Sequence, residues 1–485
     1  MERLPRTPEE ADKLLSLSDL LRDAALTVKA EWAREDFSDK QENNHHHKGQ
    51  SQPEGGARLL PSARLWEAQR TIEAISGALV ELVCEPSQRI QQVLTLYWES
   101  RALFIAAERR IPDQLAEAGE CGVDVDTLSD RTGIEARKLA RIMRTLCAIH
   151  IFCEVDENRF ANNRVSAALV GNDGLRAYVQ LFNLHVYRAS EYLPRYLLGS
   201  KGASYDVRET ALQEAVGIDV PLWEWLAKKV PLDQVQEKGP GYPSVPDVSN
   251  CNLIPDDDGM VLRPELNNFA LAMAGGGKAS GAAHAFDYPW AELGDGVVVD
   301  VGGGVGGFVL QLLPEYPRLK FVVQDRLENV QQGEREIFPR EAPDAIPSGR
   351  VTFMAHDFFQ ENPVKNAEVY WLRGILHDWS DEYCIQILQA LKAAMGPQSR
   401  ILICDPVMNT TCGCAEIPAA PYPLPANYGY HFRYCYNRDL GLMSTINGIE
   451  RTPAQFKDLF ERAGLKLRKF WPVRSMVGIT EVGLA

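Results

Sequence analysis

The sequence predicts an α/β protein: a Rossmann-like sheet with helices on both faces, preceded by an α-helical, winged-helix-like region. Residues 297–407 alternate short β-rich runs with helical stretches, and a glycine-rich loop follows the first run. Residues 65–198 instead show the three- and four-residue apolar spacing of amphipathic helices. Near-continuous apolar strands separated by helices indicate a parallel sheet that is covered on both faces.

Composition narrows the class of protein. The 485 residues are 45% hydrophobic and 24% charged, which is typical of a globular chain with more than one domain. The net charge of −15 argues against a nucleic-acid or anionic-membrane surface, because phosphate attraction needs a basic surface. The N-terminus MERLPRTPEEADKLL has no apolar signal core, and no apolar run spans a bilayer. We therefore expect a cytoplasmic protein without nucleic-acid or membrane partners.

Four segments are predicted along the chain. Residues 1–60 form a partly disordered extension, in which a helix over Ala11–Trp32 precedes a polar linker with the run His45–His47. Residues 61–230 form the helical domain, residues 231–265 form an irregular connection rich in Pro, Gly and Asp, and residues 266–485 form the ligand-binding domain.

The helical domain contains a winged-helix pattern. The stretch VDVDTLSDRTGIEARKLARIMRTLCAIHIFCEVDENRF predicts a helix–turn–helix followed by a hairpin. Such a module reads DNA in some proteins, but the acidic balance of the chain favours a dimerisation or packing role.

The ten cysteines are sparse, and several lie in apolar runs, so reduced thiols are expected. Cys404, Cys412, Cys414 and Cys435 are close enough in sequence to suggest a metal cluster. They lack the paired C-x2-C spacing of a structural zinc site, and no metal site is predicted.

The glycine-rich loop VVVDVGGGVGGF predicts a cofactor site. Gly302, Gly304 and Gly307 satisfy G-x-G-x-x-G, the pattern of dinucleotide-binding proteins. Asp300 lies two residues before these glycines, and a carboxylate there suits a ligand with a cationic amino-acid portion rather than a pyrophosphate. Asp325 ends the next strand and is placed to accept ribose hydroxyl groups of either ligand. The loop favours S-adenosylmethionine but leaves NAD open.

Two further strand ends carry candidate side chains. Asp357 and Phe358 follow the third strand, where the carboxylate is expected to accept from an adenine amino group and the ring to cover the adenine. His377 and Asp378 follow the fourth strand, and ligands bind at this edge of a parallel sheet. A histidine at this edge is a candidate general base.

Five segments in this order resemble a known family: VVVDVGGGVGGF, FVVQD, AHDFF, LRGILHDWSDEYC and NGIERTPAQFKDLFERAGL. They are similar to S-adenosylmethionine-dependent O-methyltransferases of the caffeic-acid type, especially the fungal secondary-metabolite group with the sterigmatocystin enzymes. The resemblance covers roughly residues 65–485. It implies a homodimer, S-adenosyl-L-methionine as cofactor, and a hydroxyl of an aromatic or polyketide-type small molecule as methyl acceptor. A pericyclase or dehydratase that binds the same cofactor is the alternative.

Carried over by position, the resemblance implies His377 as the catalytic base, with Asp405 and Glu450 as its partner acids. The implied cofactor-binding residues are Asp300, Gly302, Gly304, Asp325, Asp357, Phe358 and Arg373. Met273 matches a methionine beside the acceptor ring of the family. Aromatic-rich helices add Phe182 and Trp223 as candidate acceptor contacts, and Met443, one helical turn after Asp439, is another.

The chain also departs from the family pattern. Asp405 replaces a glutamate that is usual in the plant enzymes, and Gly277 replaces a serine that contacts the cofactor. Arg373 occupies a position where plant relatives carry lysine. The segment 409–436 is longer than its counterpart, and we expect it to shape or cover the acceptor pocket.

Overall fold

The computed structural model describes residues 6–45, 60–236, 255–279 and 282–485, and a seven-stranded sheet forms the centre of the first of its two units. The first unit comprises Met1–Glu85, Ser280–Met443 and Asn447–Ala485, and the second comprises Pro86–Ala279 with Ser444–Ile446. This division differs from the predicted domain boundaries at 61, 231 and 266.

The strands of the main sheet are named here β1 to β7 in chain order. Five of them lie within residues 297–407, where the sequence predicts alternating strands and helices, and two more follow near the C-terminus. Their bounds are β1 Val297–Val301, β2 Lys320–Asp325, β3 Val351–Ala355, β4 Val369–Arg373, β5 Arg400–Asp405, β6 Leu465–Trp471 and β7 Gly478–Leu484. The spatial order is β6-β7-β5-β4-β1-β2-β3. Strands β1 to β5, the part of the sheet predicted over residues 297–407, pair in parallel as predicted. The additional strand β7 is antiparallel to both β5 and β6, so the complete sheet is mixed.

Both faces of this sheet are buried under helices. On one face Trp371 of β4 stacks on Phe308 with ring centroids 4.4 Å apart. On the other face Leu372 packs in a cluster with Ile387 and Phe460. The α-helices of the sheet region are Ala283–Phe286, Gly307–Leu312, Leu327–Gln332, Phe338–Glu341, Asp381–Lys392, Arg433–Ile446 and Pro453–Ala463. Short 3₁₀ turns cover Trp290–Leu293, Leu376–Asp378 and Gly429–Phe432, and a π-helical turn covers Gly333–Ile337.

Two N-terminal helices belong to the first unit. The helix Pro8–His45 extends beyond the predicted Ala11–Trp32 and includes part of the predicted linker. The rest of that linker, with two of the three consecutive histidines, lies outside the described residues. The second helix, Ala63–Val83, begins where Ser62 accepts from the Leu65 backbone N–H.

The segment 409–436 packs against the second N-terminal helix. Leu424 and Tyr428 share an apolar cluster with Ile75 of that helix. The His431 Nδ1 atom lies 2.6 Å from Glu73 Oε2, which adds a polar contact between the same two segments. These contacts place Ala63–Val83 with the sheet-containing unit rather than with the predicted helical domain.

The second unit contains the predicted winged helix. The helices Val125–Thr132 and Ala136–Ala148 are joined at Gly133, whose φ of 71° is readily adopted by glycine. The strands Phe152–Asp156 and Arg159–Asn162 form the predicted hairpin, and Val123–Asp124 pairs with the latter strand. The other helices of this unit are Pro86–Thr95, Tyr97–Glu108, Ile111–Ala116, Arg164–Ala167, Asp173–Asn183, His185–Leu198, Ala211–Val216, Leu222–Ala227, Leu232–Gln236 and Pro264–Ala279, with a 3₁₀ turn at Gly119–Cys121.

The helix Pro264–Ala279 belongs to the second unit because it crosses Asp173–Asn183 at two glycines. A Cβ atom on Gly275 would lie 2.2 Å from the carbonyl carbon of Gly174, so only glycine permits this backbone approach. Part of the predicted irregular connection is regular, since Lys229–Pro231 pairs with Met260–Leu262. No helix in the described part of the chain is long and apolar enough to cross a membrane.

Candidate active site

The loop after β1 encloses the carboxylate of Asp300. Gly302 has a φ of 72° and Gly304 a φ of 58°. A Cβ atom on Gly302 would lie 2.5 Å from Ile375 Cδ1, so a larger residue would displace either the loop or Ile375. Gly303 passes so close to Asp300 that a Cβ there would lie 2.4 Å from Asp300 Oδ2. The tight turn therefore brings backbone and acid together at the end of the first strand.

Asp300 is incompletely hydrogen-bonded, because its Oδ2 atom is buried and has no hydrogen-bond partner among the described residues. Burial raises the pKa of Asp300 to about 7, although the positive charge of Arg373 opposes that rise. Buried carboxylates of this kind need a cation or hydrogen-bond donors. The ammonium group of an amino-acid ligand such as S-adenosylmethionine would supply both, so the residues present fit this cofactor.

Asp325 holds the glycine loop. Its Oδ2 atom accepts from the Gly304 backbone N–H at 2.8 Å. Its Oδ1 atom accepts from the Arg326 backbone N–H and from Asn329 Nδ2, each at 2.7 Å. A carboxylate has about four lone-pair positions, so these three bonds leave room for about one further donor. Two ribose hydroxyl groups, as the sequence predicts, would require one of these bonds to be released.

The substitution Asp325→Ala is expected to weaken cofactor affinity by about 10–100-fold, which corresponds to the loss of one or two charge-assisted hydrogen bonds. The loop loses its contact at Gly304, and the ribose loses an acceptor. Calorimetric titration with S-adenosylhomocysteine measures the change, and Asp344→Ala, at an exposed acid of the same unit, is the matched control. Equal affinities of the two variants would remove Asp325 from the cofactor site.

Phe358 and Arg373 also lie at this edge of the sheet. Phe358 Cε1 is 3.9 Å from the position that a Cβ of Gly302 would occupy, and the ring packs edge-on against Phe359. Asp357 is exposed, and its Oδ1 atom accepts from the Phe359 backbone N–H at 3.0 Å. The ring of Phe358 is therefore beside the loop, whereas the contact of Asp357 with adenine stays a prediction.

His377 is held by Glu450 at the end of β4. It lies in the 3₁₀ turn Leu376–Asp378, and Ser380 is the N-cap of the following helix. The His377 Nδ1 atom is 3.0 Å from Glu450 Oε1, and the His377 side chain is 13% exposed. With the proton on Nδ1 and donated to Glu450, the Nε2 atom carries the lone pair that accepts a proton.

The two predicted partner acids have different contacts. Glu450 contacts the ring, whereas Asp405 Oδ1 accepts from the Gly374 backbone N–H at 3.0 Å. Asp405 Oδ2 is buried without a hydrogen-bond partner in the described structure. Burial raises the pKa of Asp405, and the neighbouring charge of His377 opposes that rise. Asp405 therefore acts on His377 through its charge rather than through a hydrogen bond.

Three acids raise the proton affinity of His377. Burial alone would lower its pKa, but the negative charges of Glu450, Asp405 and Asp378 outweigh burial and raise the pKa to about 9. Asp378 Oδ1 is 3.4 Å from His377 Nε2, and burial raises the pKa of Asp378 to about 6. The contacts with His377 and Arg438 overcome burial and lower the pKa of Glu450. His377 is thus a stronger base than an isolated histidine.

Two arginines at this site do not appear among the sequence-predicted residues. Arg438 Nε donates to Glu450 Oε1 at 3.0 Å. Arg451 is 1% exposed and donates to the backbone carbonyls of Leu376 at 2.8 Å and Trp379 at 2.7 Å, on either side of His377. Arg451 directly follows Glu450 in the segment GIERT, so the motif that identified Glu450 could also have pointed to Arg451. Nothing in the sequence near Arg438 links that residue to His377.

The predicted acceptor contacts fall in different parts of the chain. Phe182, Trp223 and Met273 belong to the second unit. Trp223 packs edge-on against Phe269 with ring centroids 5.2 Å apart, and the tilted rings of Phe182 and Tyr178 have centroids 5.1 Å apart. Met273 is 44% exposed. Met443 lies in the helix Arg433–Ile446 and belongs to the first unit. Their contact with an acceptor stays a prediction.

The nine cysteines of the described residues are free thiols. Cys404 and Cys435 are buried, and Cys412 is exposed in the segment 409–436. Within the described ranges, no three or more His, Cys, Asp or Glu side chains are grouped so that they could hold a metal ion.

A glycine loop around a buried acid, at the edge of a sheet that also carries a His–Glu pair, defines the class of S-adenosylmethionine-dependent methyltransferases. Comparison with known families agrees. A model of the O-methyltransferase domain matches residues 293–466, and a model of the O-methyltransferase dimerisation domain matches residues 91–172.

Curated relatives match over the whole chain. O-methyltransferase cicE of Emericella nidulans is 60% identical over 484 residues, which cover 100% of this chain and 92% of the relative. O-methyltransferase tpcA of Aspergillus fumigatus is 51% identical, with 100% and 98% covered. The chain therefore belongs to the O-methyltransferase family, within its fungal secondary-metabolite group. It is an S-adenosylmethionine-dependent O-methyltransferase that carries the dimerisation domain of the family.

Solved structures share the fold at lower identity. The methyltransferase CalO1 of calicheamicin biosynthesis, in its SAH-bound form, has a TM-score of 0.60 and 24% identity, covering 82% of this chain and 98% of its own. A structure titled a pericyclic reaction enzyme has a TM-score of 0.62 and 21% identity, with 86% and 94% covered. At such identities the likeness concerns the fold, so the pericyclase alternative gains no support over the relatives named O-methyltransferases.

Proposed function

We propose that this enzyme methylates a phenolic hydroxyl of an aromatic, polyketide-type small molecule, with His377 as the general base. The observation that carries the proposal is the 3.0 Å contact between His377 Nδ1 and Glu450 Oε1, which orients the ring and leaves Nε2 to accept a proton. Asp405 and Glu450 are its partner acids.

The proton affinities of base and acceptor are matched. A phenol has a pKa of about 10, so it is mostly protonated near neutral pH. His377, whose pKa is raised to about 9, takes the phenolic proton with little change in free energy. S-adenosylmethionine supplies a sulfonium-bound methyl group when it is bound. Glu450 and Asp405 stabilise the imidazolium that forms, and the largely buried position of His377 limits access of water.

The cofactor and acceptor contacts form part of this proposal. Asp300, Gly302, Gly304, Asp325, Asp357, Phe358 and Arg373 hold the cofactor, and the unpartnered Oδ2 atom of Asp300 supports this assignment. Met273, Phe182, Trp223 and Met443 contact the acceptor. Aromatic side chains suit a planar ligand, because ring pairs stabilise contacts beyond the area that they bury.

The assembly and location follow the same proposal. The match to a dimerisation domain over residues 91–172 supports a homodimer. The free thiols of the described cysteines are typical of a reducing compartment and support a cytoplasmic location.

A transfer assay tests the acceptor class. The protein is incubated with methyl-labelled S-adenosylmethionine and either hydroxylated naphthalenes and anthraquinones or saturated cyclic alcohols of the same size. We expect label on the phenolic oxygen of the aromatic compounds only. Equal labelling of the saturated alcohols would contradict an aromatic acceptor. Turnover of a reactive substrate without label in the product would instead support the pericyclase or dehydratase alternative.

A further inference from the structure

We propose that Arg438 is a positioning residue for methyl transfer. Arg438 and His377 contact the same oxygen of Glu450, and Arg438 thereby favours the neutral imidazole that can accept a proton. This inference rests on the proposed role of His377 as the base. Arg438 lies in the helix Arg433–Ile446, outside the motifs that the family resemblance uses. Its Nε atom donates to Glu450 Oε1 at 3.0 Å, and its Nη2 atom donates to the same oxygen.

The contacts of Glu450 are concentrated on one atom. Oε1 receives both Arg438 donors and faces His377 Nδ1, whereas Oε2 is buried without a hydrogen-bond partner in the described structure. The Glu450 side chain is 0% exposed, so water does not screen these charges. A single carboxylate carries one negative charge. It compensates the permanent cation of Arg438 fully, but it cannot compensate an imidazolium fully as well.

Arg438 also acts directly on the ring. Its Nη2 atom is 3.2 Å from His377 Nδ1, and a guanidinium at that distance repels a positive charge on the imidazole. The Nδ1 atom is closer to Glu450, at 3.0 Å, so an Nδ1 proton points at the carboxylate. Arg438 thus keeps Glu450 Oε1 facing Nδ1 and makes the protonated ring less favourable.

The other acids around His377 act in the opposite direction to Arg438. Asp378, in the same turn, and Asp405, at the end of β5, favour the imidazolium. Asp439 accepts from the Glu450 backbone N–H at 2.8 Å, Arg451 donates to the Leu376 carbonyl, and Arg373 ends β4. Without Arg438, the acids next to His377 would hold the proton more tightly.

The pH dependence of kcat/KM tests the inference. In the native enzyme the value should rise with pH as His377 becomes neutral. In Arg438→Met this rise should move at least about one pH unit toward alkaline pH, because removing the positive charge next to the imidazole raises the pKa of His377. Activity at pH 8 should then fall about 10-fold, and the deficit should shrink as the pH increases. Arg438→Lys keeps the cation and should restore much of the native profile.

Two further variants separate this role from a structural one. Arg433→Met removes an arginine of the same helix that contacts Tyr430 instead, and its profile should match the native one. The double variant Arg438→Met/Glu450→Gln should lose less activity than the product of the losses in the two single variants, because Arg438 and Glu450 act on His377 through the same carboxylate oxygen. Affinity for S-adenosylhomocysteine checks that each variant is folded, and Arg438→Gln replaces Arg438→Met if the latter does not fold.

The outcomes are distinct. A native profile in Arg438→Met, or a loss by the same factor at every pH, would overturn the role of Arg438 while the proposed function stands. If the native rise is also present in His377→Ala, His377 is not the base, and the inference falls together with that proposal.

Discussion

Replacing His377 by alanine is expected to reduce kcat for methyl transfer by about 10²–10⁴-fold, the usual contribution of a positioned general base. The imidazole is the group whose Nε2 atom is left to accept the phenolic proton once Nδ1 faces Glu450 at 3.0 Å. Affinity for S-adenosylhomocysteine should stay close to native, because the residues assigned to the cofactor are elsewhere on the sheet edge. Single-turnover rates with labelled cofactor, together with calorimetry, measure both quantities.

The pH profile adds a second readout to this variant. A base must be neutral to accept a proton, and the pKa of His377 is raised to about 9, so native kcat/KM should increase through pH 9. In His377→Ala that rise should disappear. A rise near pH 10 should remain, because the phenol ionises there by itself. Glu450→Gln keeps a hydrogen-bond acceptor but removes the charge, so its loss should be smaller than that of His377→Ala. Unchanged turnover in His377→Ala would remove this residue from the mechanism.

Replacing Arg451 by methionine is expected to lower the free energy of unfolding of the sheet-containing unit by about 2–6 kcal/mol, because two backbone carbonyls lose their donor at a cost of about 1–3 kcal/mol each. Arg451 donates to the carbonyls of Leu376 and Trp379 and to Asp381 Oδ1 at 2.8 Å. Without Arg451, those carbonyls have lost their side-chain donor, and the turn that carries His377 is held less firmly. Activity should therefore fall together with stability.

Urea unfolding measures the first effect, and amide hydrogen exchange across Leu376–Asp378 reports the second. Arg451→Lys should recover part of the stability but not the forked contacts with two carbonyls. Arg462→Met removes an exposed arginine that also pairs with Asp381, and it should change stability far less. A loss in Arg451→Met no greater than in Arg462→Met would show that the buried contacts do not stabilise the turn.

Much of the sheet and part of the site follow from local sequence. The runs around Val299 and Leu402 are apolar on both faces, which is typical of central parallel strands. Strands β6 and β7 were not predicted. β6, LKLRKFW, carries three cations at the sheet edge, and no helix lies between β6 and β7 to mark a parallel crossover. The glycine loop was predictable because turn geometry at Gly302 requires that residue type.

The sequence by itself determined the class of protein, the strand ends that carry Asp300, Asp325 and His377, and the winged-helix module, because each depends on neighbouring residues in the chain. The tertiary structure alone decided which acid touches His377 and which arginines hold the site. Arg438 is 61 positions from His377 and Arg451 is 75 positions from Leu376. Contacts at such separations depend on how sheet and helices pack, and no local periodicity encodes them.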